Sequence, residues 1–128
     1  MQYEYFYGAQ AEQFSFYRIP KALFTEPNFR ELSTDAKVLY GILLDRMSLS
    51  LKNQWIDAQN KVYIIFTVDE IMDALNCANQ KATRLMVELE KRAGLIERKR
   101  QGLGRPNLIY VKNFAATIND KSCEKGDS

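Results

Sequence analysis

Two helical patterns joined by a tight turn constrain the fold of this chain more than any other feature of its sequence. Thr67 and Glu70 have the spacing of a capping box, in which each side chain accepts a hydrogen bond from the other residue's backbone amide. Ile71 and Leu75, one turn apart, give the first helix an apolar stripe. Asn76 follows, and asparagine tolerates the left-handed conformation that often ends a helix. We therefore predict a helix that begins after Thr67 and ends near Asn76.

A second helix is predicted from about Asn79 to Ala93. Its apolar residues recur at helical spacing on one face and are expected to be buried: Ala82, Leu85, Met86 and Leu89. In a helix-turn-helix, the second helix enters the major groove of DNA with its N-terminal residues leading. The polar residues that we expect to contact DNA from this helix are Asn79, Gln80, Lys81, Thr83 and Arg84.

A β-hairpin is predicted after the second helix. Gly94 ends that helix, and two short β-prone runs follow, LIERKR and NLIYVK, with Gly102 and Gly104 between them. Two helices at a tight turn followed by a hairpin form a winged helix-turn-helix pattern. The predicted fold class is therefore α+β, mainly α, with a small antiparallel sheet. The cations of this hairpin, or wing, that we expect to contact DNA are Arg98, Lys99, Arg100 and Arg105.

The charge distribution agrees with a DNA-binding function. Residues 79–112 contain nine lysines and arginines and three acidic residues, a net charge of +6, whereas the other residues contain nine basic and thirteen acidic residues, a net charge of −4. Positive charge gathered on one helix and one hairpin is typical of a surface that binds a polyanion. The alternative is that these side chains only solvate an exposed helix and strand, but the helix-turn-helix pattern favours the first interpretation.

The side chains of this basic region predict different contacts. Arg84 has the geometry for a bidentate contact with guanine, and Gln80 or Asn79 for one with adenine. Lys81 is equally suited to a phosphate, a contact that positions the protein without specifying sequence. Arg105, at the glycine-containing tip of the wing, is expected to reach the adjoining minor groove, where narrow A·T tracts attract arginine. The alternative for the wing is that its cations protect an exposed hairpin from aggregation.

Composition excludes several other functions. The chain has no histidine, which excludes a serine–histidine or cysteine–histidine nucleophile pair and a histidine-containing metal site. Enzymes that use only carboxylates or lysine remain compatible with the composition, but no glycine-rich phosphate-binding loop is present. We predict a protein that is not an enzyme and needs no metal or cofactor. No apolar run is long enough to span a membrane. We expect no disulfide between Cys77 and Cys123, and we predict a cytoplasmic location without membrane association.

Residues 1–13 are predicted to form an aromatic N-terminal arm. Four rings lie close together in it, Tyr3, Tyr5, Phe6 and Tyr7, which is unusual for a disordered polar tail. They could pack against their own domain, in which case the protein would bind repeated sites as separate monomers. We predict instead that they contact a second copy in a homodimer, because two copies on neighbouring half-sites would recognise a longer DNA sequence.

The segment after the arm is predicted to contain little regular structure. Phe14–Ile19 alternates in a way that favours a short strand, and Pro27 limits the next segment to a helical turn. We expect Phe24, Phe29 and Leu32 to anchor this segment to the core.

A core helix is then predicted over STDAKVLYGILLDRMSLS, with Ser33 as its N-cap and Asp35 in its first turn, where a carboxylate suits the helix dipole. A turn is expected near Asp57, and Val62–Phe66 is the strongest strand pattern in the chain. Trp55 is expected to pack beside that strand. Residues 14–114 would thus form one winged-helix domain, and residues 115–128 a polar tail or the start of a linker.

Several blocks together resemble the N-terminal domain of the RepA_N family of plasmid replication initiators over about Phe14 to Phe114. These blocks are SFYRIPKALF, LSTDAKVLYGILLDRMSLS, WID, VYIIFT, EIMDALNC and GLIERKRQGLGRPNLIYVKNF, of which the last is the most distinctive. Ala78 stands where a better helix cap is common in the family, and residues 1–13 match no motif. The resemblance implies a winged-helix domain that binds double-stranded DNA at a plasmid origin, at repeated sites, and helps to start replication.

Members of this family continue through a variable linker into a smaller C-terminal domain. We therefore expect this chain to be the N-terminal part of a longer protein whose missing C-terminal domain contacts the replication machinery. Two other functions remain compatible with the sequence. One is a transcriptional regulator of the same fold, and the other is a winged helix that binds an acidic protein instead of DNA.

Overall fold

The computed structural model describes residues 2–115 of the chain. Four α-helices, two short 3₁₀ helices, one turn of π-helix and three strands follow one another in these residues. In chain order they are a 3₁₀ helix Gln10–Gln13, α1 Ala22–Thr25, a 3₁₀ helix Pro27–Phe29, α2 Thr34–Met47, β1 Ile64–Ile65, α3 Val68–Leu75, α4 Asn79–Val87, the π-helical turn Glu88–Arg92, β2 Ile96–Lys99 and β3 Leu108–Val111. The predicted class, α+β with mainly helix and a small antiparallel sheet, is confirmed.

Helix α2 begins where the sequence predicts. Ser33 is its N-cap, and the Ser33 hydroxyl accepts a hydrogen bond from the Ala36 amide at 3.1 Å. Leu39 and Leu43, one turn apart, are fully buried. Arg46, near the end of the helix, donates hydrogen bonds to the Ile65 carbonyl at 3.3 Å and to the Glu70 carboxylate at 3.1 Å. One side chain of α2 therefore holds both β1 and α3.

The three strands form one antiparallel sheet in the order β1-β3-β2. Ile64 pairs with Ile109 across β1 and β3, and β2 pairs with β3 from Ile96↔Val111 to Lys99↔Leu108. Ile64, Ile96 and Ile109 are buried, which places one face of the sheet against the helices. The strand predicted over Val62–Phe66 is shortened to two residues, although Val62 also forms an isolated bridge with Ile56.

The core joins the helices and the sheet. Its members come from α1, α2, α3, α4, the π-helical turn and all three strands, with Trp55 and Phe66 packed at its edge. The four residues of the second predicted helix that should be buried, Ala82, Leu85, Met86 and Leu89, are all buried. Trp55 is half-buried beside the core, which agrees with the packing predicted for it.

The segment before α2 differs from its prediction. The predicted strand Phe14–Ile19 is wrong: these residues form no strand, and they pair with none of the three strands of the sheet. Phe29 and Leu32 are buried as expected, but the Phe24 side chain is 51% exposed. The predicted anchoring role of Phe24 is therefore wrong: its ring lies 4.5 Å from the buried Lys37 ammonium, an arrangement that gives the cation a favourable neighbour.

The segment that follows the N-terminal arm crosses α2 at a close contact. A Cβ atom added at Gly41 of α2 would lie 2.8 Å from Ile19 Cγ1 and 3.0 Å from the Arg18 carbonyl oxygen. Glycine therefore permits the chain to cross α2 at this point. Before that crossing, Phe6 and Phe14 contact each other edge to face, with ring centroids 5.9 Å apart.

The remaining expectations concern the ends of the chain and the cysteines. Cys77 is a free cysteine. Cys123 and residues 116–128 of the predicted tail lie outside the described residues. Among residues 2–115, no helix combines the length and apolar character that crossing a membrane requires.

Candidate nucleic-acid interface

The turn between α3 and α4 has the geometry that the sequence predicts. Thr67 Oγ1 accepts from the Glu70 amide at 3.2 Å, and Glu70 Oε1 accepts from the Thr67 amide at 3.0 Å, which completes the capping box. Asn76 has φ 53°, in the left-handed region, and ends α3. The Cys77 amide then donates to the Met72 carbonyl at 3.1 Å. Local side-chain and backbone bonds thus fix both ends of α3, and α4 begins three residues after Asn76.

Helix α4 presents a polar face to solvent. Ala82, Leu85 and Met86 bury the opposite face, so the helix is held by its apolar side. Four of the five predicted DNA-contact residues of α4 are exposed: Asn79, Gln80, Thr83 and Arg84. The N-cap residue, Ala78, makes no side-chain hydrogen bond to the helix.

Lys81 is the exception on this face. Its ammonium lies 2.7 Å from the carboxylate of Asp35 in the first turn of α2, and its side chain is only partly exposed. Part of its charge is therefore compensated within the protein. This pair connects the start of α4 to the start of α2.

A second contact holds the other end of α4 to α2. The backbone amide and the hydroxyl of Ser33 both donate to the Glu88 carboxylate, at 2.6 and 2.9 Å. Ser33 thus caps α2 with its side-chain oxygen while it binds Glu88, at the start of the π-helical turn that continues α4. With Lys81 and Asp35, these bonds fix the orientation of α4 relative to α2.

The wing has a braced base. The Arg98 guanidinium donates to Glu90 Oε1 at 2.8 and 3.0 Å, and the Arg98 amide donates to Glu90 Oε2 at 3.1 Å. Both side chains are mostly buried. Although burial alone would raise the pKa of the Glu90 carboxyl, its hydrogen bonds with Arg98 lower that pKa overall. The charge of Arg98 is accordingly used within the protein.

The other wing cations point into solvent. Lys99, Arg100 and Arg105 are exposed, and their side chains make no hydrogen bond or ion pair within residues 2–115. Gly102 and Gly104, at φ 121° and 77°, turn the chain between the strands as expected. The structure thus brings three unpaired cations to the end of one hairpin.

The hydrogen bonds of two tyrosines hold β3, the central strand of the sheet, and the residue that follows it. Tyr110 Oη donates to Asp57 Oδ2 at 3.0 Å. Burial is the main cause that raises the pKa of Tyr110, and the hydrogen bond to Asp57 raises it further. Tyr40 Oη donates to the Lys112 carbonyl at 2.8 Å, and burial raises the pKa of Tyr40 to about 12. Neither phenol ionises near neutral pH, so both remain hydrogen-bond donors.

Sequence reasoning missed three residues that shape this surface. Asp35 and Glu90 compensate cations that were predicted to contact DNA, and no local spacing rule links Asp35 to Lys81. Leu103 lies at the tip of the wing with an almost fully exposed side chain. The glycines on either side of Leu103 indicate a turn in the sequence, and a residue within such a turn is usually exposed.

The sequence matches a known protein family over most of its length. Residues 15–125 match the family described as "Replication initiator protein A (RepA) N-terminus". A curated "41 kDa protein" from Lactobacillus helveticus is 34% identical over 103 residues, which cover 80% of this chain and 28% of that protein. The chain thus spans less than a third of the length of this relative.

Solved structures share both the sequence and the fold. The "Structure of MDR initiator" is 40% identical, with a TM-score of 0.72 over 98% of this chain and 99% of that chain. The "N-Terminal domain of DNA binding protein" is 35% identical, with a TM-score of 0.73 over 99% and 98%. The "Structure of Rep-DNA complex" is 35% identical, with a TM-score of 0.73 over 98% of each chain.

Proposed function

The chain belongs to the replication initiator protein A family, whose N-terminal region it matches, and from that premise we propose that it binds double-stranded DNA sequence-specifically at a plasmid replication origin. Binding there would contribute to the initiation of plasmid replication. A solved structure of the same fold, 35% identical, is described as a Rep–DNA complex, which supports this function.

The observation that carries the proposal is the arrangement of α4 and the wing. The helix is buried on one side and exposes four side chains that can hydrogen-bond to base edges, and the neighbouring hairpin exposes three unpaired cations. The helix would supply sequence recognition in the major groove, and the wing would supply attraction to the phosphates.

Each exposed side chain of α4 has a contact that suits its chemistry. We assign Arg84 to a guanine, because a guanidinium can bind O6 and N7 together. Gln80 and Asn79 would pair with adenine, and Thr83 would contact a base or a phosphate. Lys81 would contact a phosphate while it keeps part of its interaction with Asp35, so we expect it to contribute less than Arg84.

We assign three different roles to the four predicted wing cations. Lys99 and Arg100 would contact phosphates, and Arg105 would enter the minor groove beside the site. Arg98 would position the wing through Glu90 and contribute little direct contact with DNA, because its guanidinium already makes two hydrogen bonds to that carboxylate.

Footprinting of the chain on the plasmid's own origin tests this function. We expect protection of a repeated site, with affinity that falls linearly on a plot of log affinity against log salt concentration. A shuffled duplex of the same composition is the control. Equal affinity for both duplexes at moderate salt would contradict sequence-specific binding, and no binding to either would exclude DNA as the partner.

We also propose that the domain binds as a homodimer through its N-terminal arm. The side chains of Tyr3, Tyr5, Phe6 and Tyr7 are 61–84% exposed, and Phe14 and Phe16 extend the same aromatic segment. Exposed aromatic rings in such number are typical of surfaces that bind another protein surface. Two copies on neighbouring half-sites would then recognise a longer DNA sequence.

Sedimentation of the full chain and of a chain lacking residues 1–13 tests the dimer. We expect the full chain to sediment as a dimer, free or on DNA with two half-sites, and the shortened chain as a monomer. If both are monomers that bind two sites without cooperativity, the arm does not form a dimer contact.

Three further parts of the proposal concern the protein's surroundings. We propose that it acts in the cytoplasm, where its DNA would be found, and that its role is binding, without catalysis. We also propose that contact with the replication machinery occurs through sequence outside this chain, since the curated relative is much longer than the matched region.

A further inference from the structure

The tip of the wing carries the most exposed large apolar side chain in residues 2–115. Leu103 is 98% exposed, more than any ring of the N-terminal arm. It lies in a run of polar and charged residues, in which Pro106 is the one other apolar side chain between residues 97 and 107. A leucine at this place therefore contributes nothing to the core.

The backbone holds Leu103 at the apex of a turn. The Arg105 amide donates to the Gly102 carbonyl at 3.3 Å, which closes a four-residue turn with Leu103 and Gly104 at its centre. Gly104 has φ 77°, the value that the third residue of a type II turn requires. Below the turn, Gln101 Nε2 donates to the Pro106 carbonyl at 2.8 Å. The leucine thus projects from a tip that is closed by two hydrogen bonds.

The surroundings of Leu103 favour nucleic acid over a protein as the group that covers it. Lys99, Arg100 and Arg105 lie within four residues of it and are exposed without ion pairs among the described residues. A protein-binding surface usually presents a contiguous apolar patch of a few hundred Å², and this tip presents a single leucine. One apolar side chain between cations is instead what a wedge into the DNA minor groove requires.

We propose that Leu103 inserts between two adjacent base pairs in the minor groove beside the site read by α4, and that it unstacks them and kinks the duplex. This inference rests on the proposed DNA-binding function. The cations would hold the wing against the phosphates while the leucine enters the stack. Pyrimidine–purine steps are the most easily unstacked, so we expect the wedge at a TA or CA step.

The experiment uses the 128-residue chain and duplexes that cover the footprinted origin site. 2-Aminopurine replaces each adenine of the flanking sequence in turn, since its fluorescence rises when it is unstacked. We expect wild-type protein to raise the fluorescence at one flanking step and to bend the duplex by about 20–90°, the range that apolar wedges produce. The Leu103→Gln variant should lose most of both signals, and Leu103→Met should retain them.

Leu51→Gln is the matched control, because it makes the same change at a leucine that is 71% exposed outside the wing. It should behave as wild type. If wild type binds the origin but Leu103→Gln gives the same fluorescence and bend, or no step responds, the wedge is wrong and the DNA-binding function stands. If wild type binds no origin fragment, the proposed function fails first, and the wedge fails with it.

Discussion

Helix α4 and the wing carry positive charge in two different ways. The helix is fixed along its length: its apolar face is buried, Lys81 pairs with Asp35, and Glu88 accepts two hydrogen bonds from Ser33. The wing is fixed at its base, where Arg98 binds Glu90, and its remaining cations extend into solvent.

This difference suggests a division of labour between the two elements. Base recognition requires side chains held in a fixed orientation, because a hydrogen bond to a base edge depends on both distance and angle. Attraction to phosphates depends mainly on charge, and a projecting hairpin can supply it without exact placement. The polar residues of α4, on a helix that is held against α2, and the unpaired cations on the wing suit these two requirements separately.

The largest effect should come from Arg84, the one exposed cation on the face of α4 without an ion pair in the described residues. Arg84→Ala should cost roughly 1–3 kcal/mol of binding free energy on the origin site and relax discrimination at one base pair. Affinity for the site and for its single-base variants measures both. Arg30→Ala, at another exposed arginine, is the control, and a uniform loss across all sequences would assign Arg84 to phosphate.

A second effect should come from the brace at the base of the wing. Glu90→Gln removes the charge that Arg98 binds, and should lower the free energy of unfolding by about 1–2 kcal/mol at neutral pH. Because the pKa of Glu90 is lowered in the folded protein, its contribution is present above the carboxyl's unfolded pKa and is lost as pH falls through the folded pKa.

The difference between wild type and Glu90→Gln should accordingly be greatest above about pH 5 and should vanish in more acidic solution. Denaturant unfolding at several pH values gives this profile. Glu97→Gln is the control, since Glu97 lies on β2 next to Arg98, is exposed, and makes no ion pair among the described residues. A difference that is independent of pH would mean that the Glu90 charge does not stabilise the wing.

These contacts also mark the limit of what the sequence could predict. The capping box at Thr67, the left-handed Asn76 and the helix end at Gly94 depend on neighbours a few residues away, and each lies where the sequence placed it. The burial of α4 follows from helical periodicity in the same way. The sequence could therefore predict which polar and basic residues lie on α4 and on the wing.

The pairing of these residues was not predictable, because the partners are brought together by the fold. Ser33 and Glu88 are 55 residues apart, and no periodic pattern relates them. The same limit explains the wrong strand at residues 14–19, since alternation predicts a strand only where a neighbouring strand can accept its hydrogen bonds. The prediction for Phe24 is wrong for a related reason. Its hydrophobicity predicts burial, whereas in the fold Phe24 is half exposed and its ring covers the ammonium of the buried Lys37.

A smaller effect is expected at the tip of the wing. Arg105→Ala should cost about 1 kcal/mol and reduce the salt dependence of log affinity by about one unit. The loss should be larger when the flanking DNA is A·T-rich, because a narrow minor groove concentrates negative potential. Lys99→Ala is the matched control within the wing and should weaken binding equally on both flanks. Equal losses for Arg105→Ala on both kinds of flanking DNA would mean that Arg105 is attracted only to the phosphate backbone.

The smallest effect concerns Lys81, which lies on α4 but, like the wing cations, is assigned to a phosphate. Asp35 compensates part of its charge, so Asp35→Asn should free the ammonium for a phosphate and remove a negative charge beside the proposed DNA-binding surface. An exposed pair of this kind is worth roughly 0.2–1 kcal/mol, so we expect affinity for the origin to rise by no more than about fivefold. The salt dependence of log affinity should steepen by up to about one unit.

Asp35 also lies in the first turn of α2, where its loss should lower stability slightly, and thermal unfolding separates that change from binding. Asp69→Asn, an exposed acidic residue in the first turn of α3, is the matched control for nonspecific loss of negative charge. If both variants raise affinity equally, Lys81 contacts no phosphate, and the pair with Asp35 serves only to hold α4 against α2.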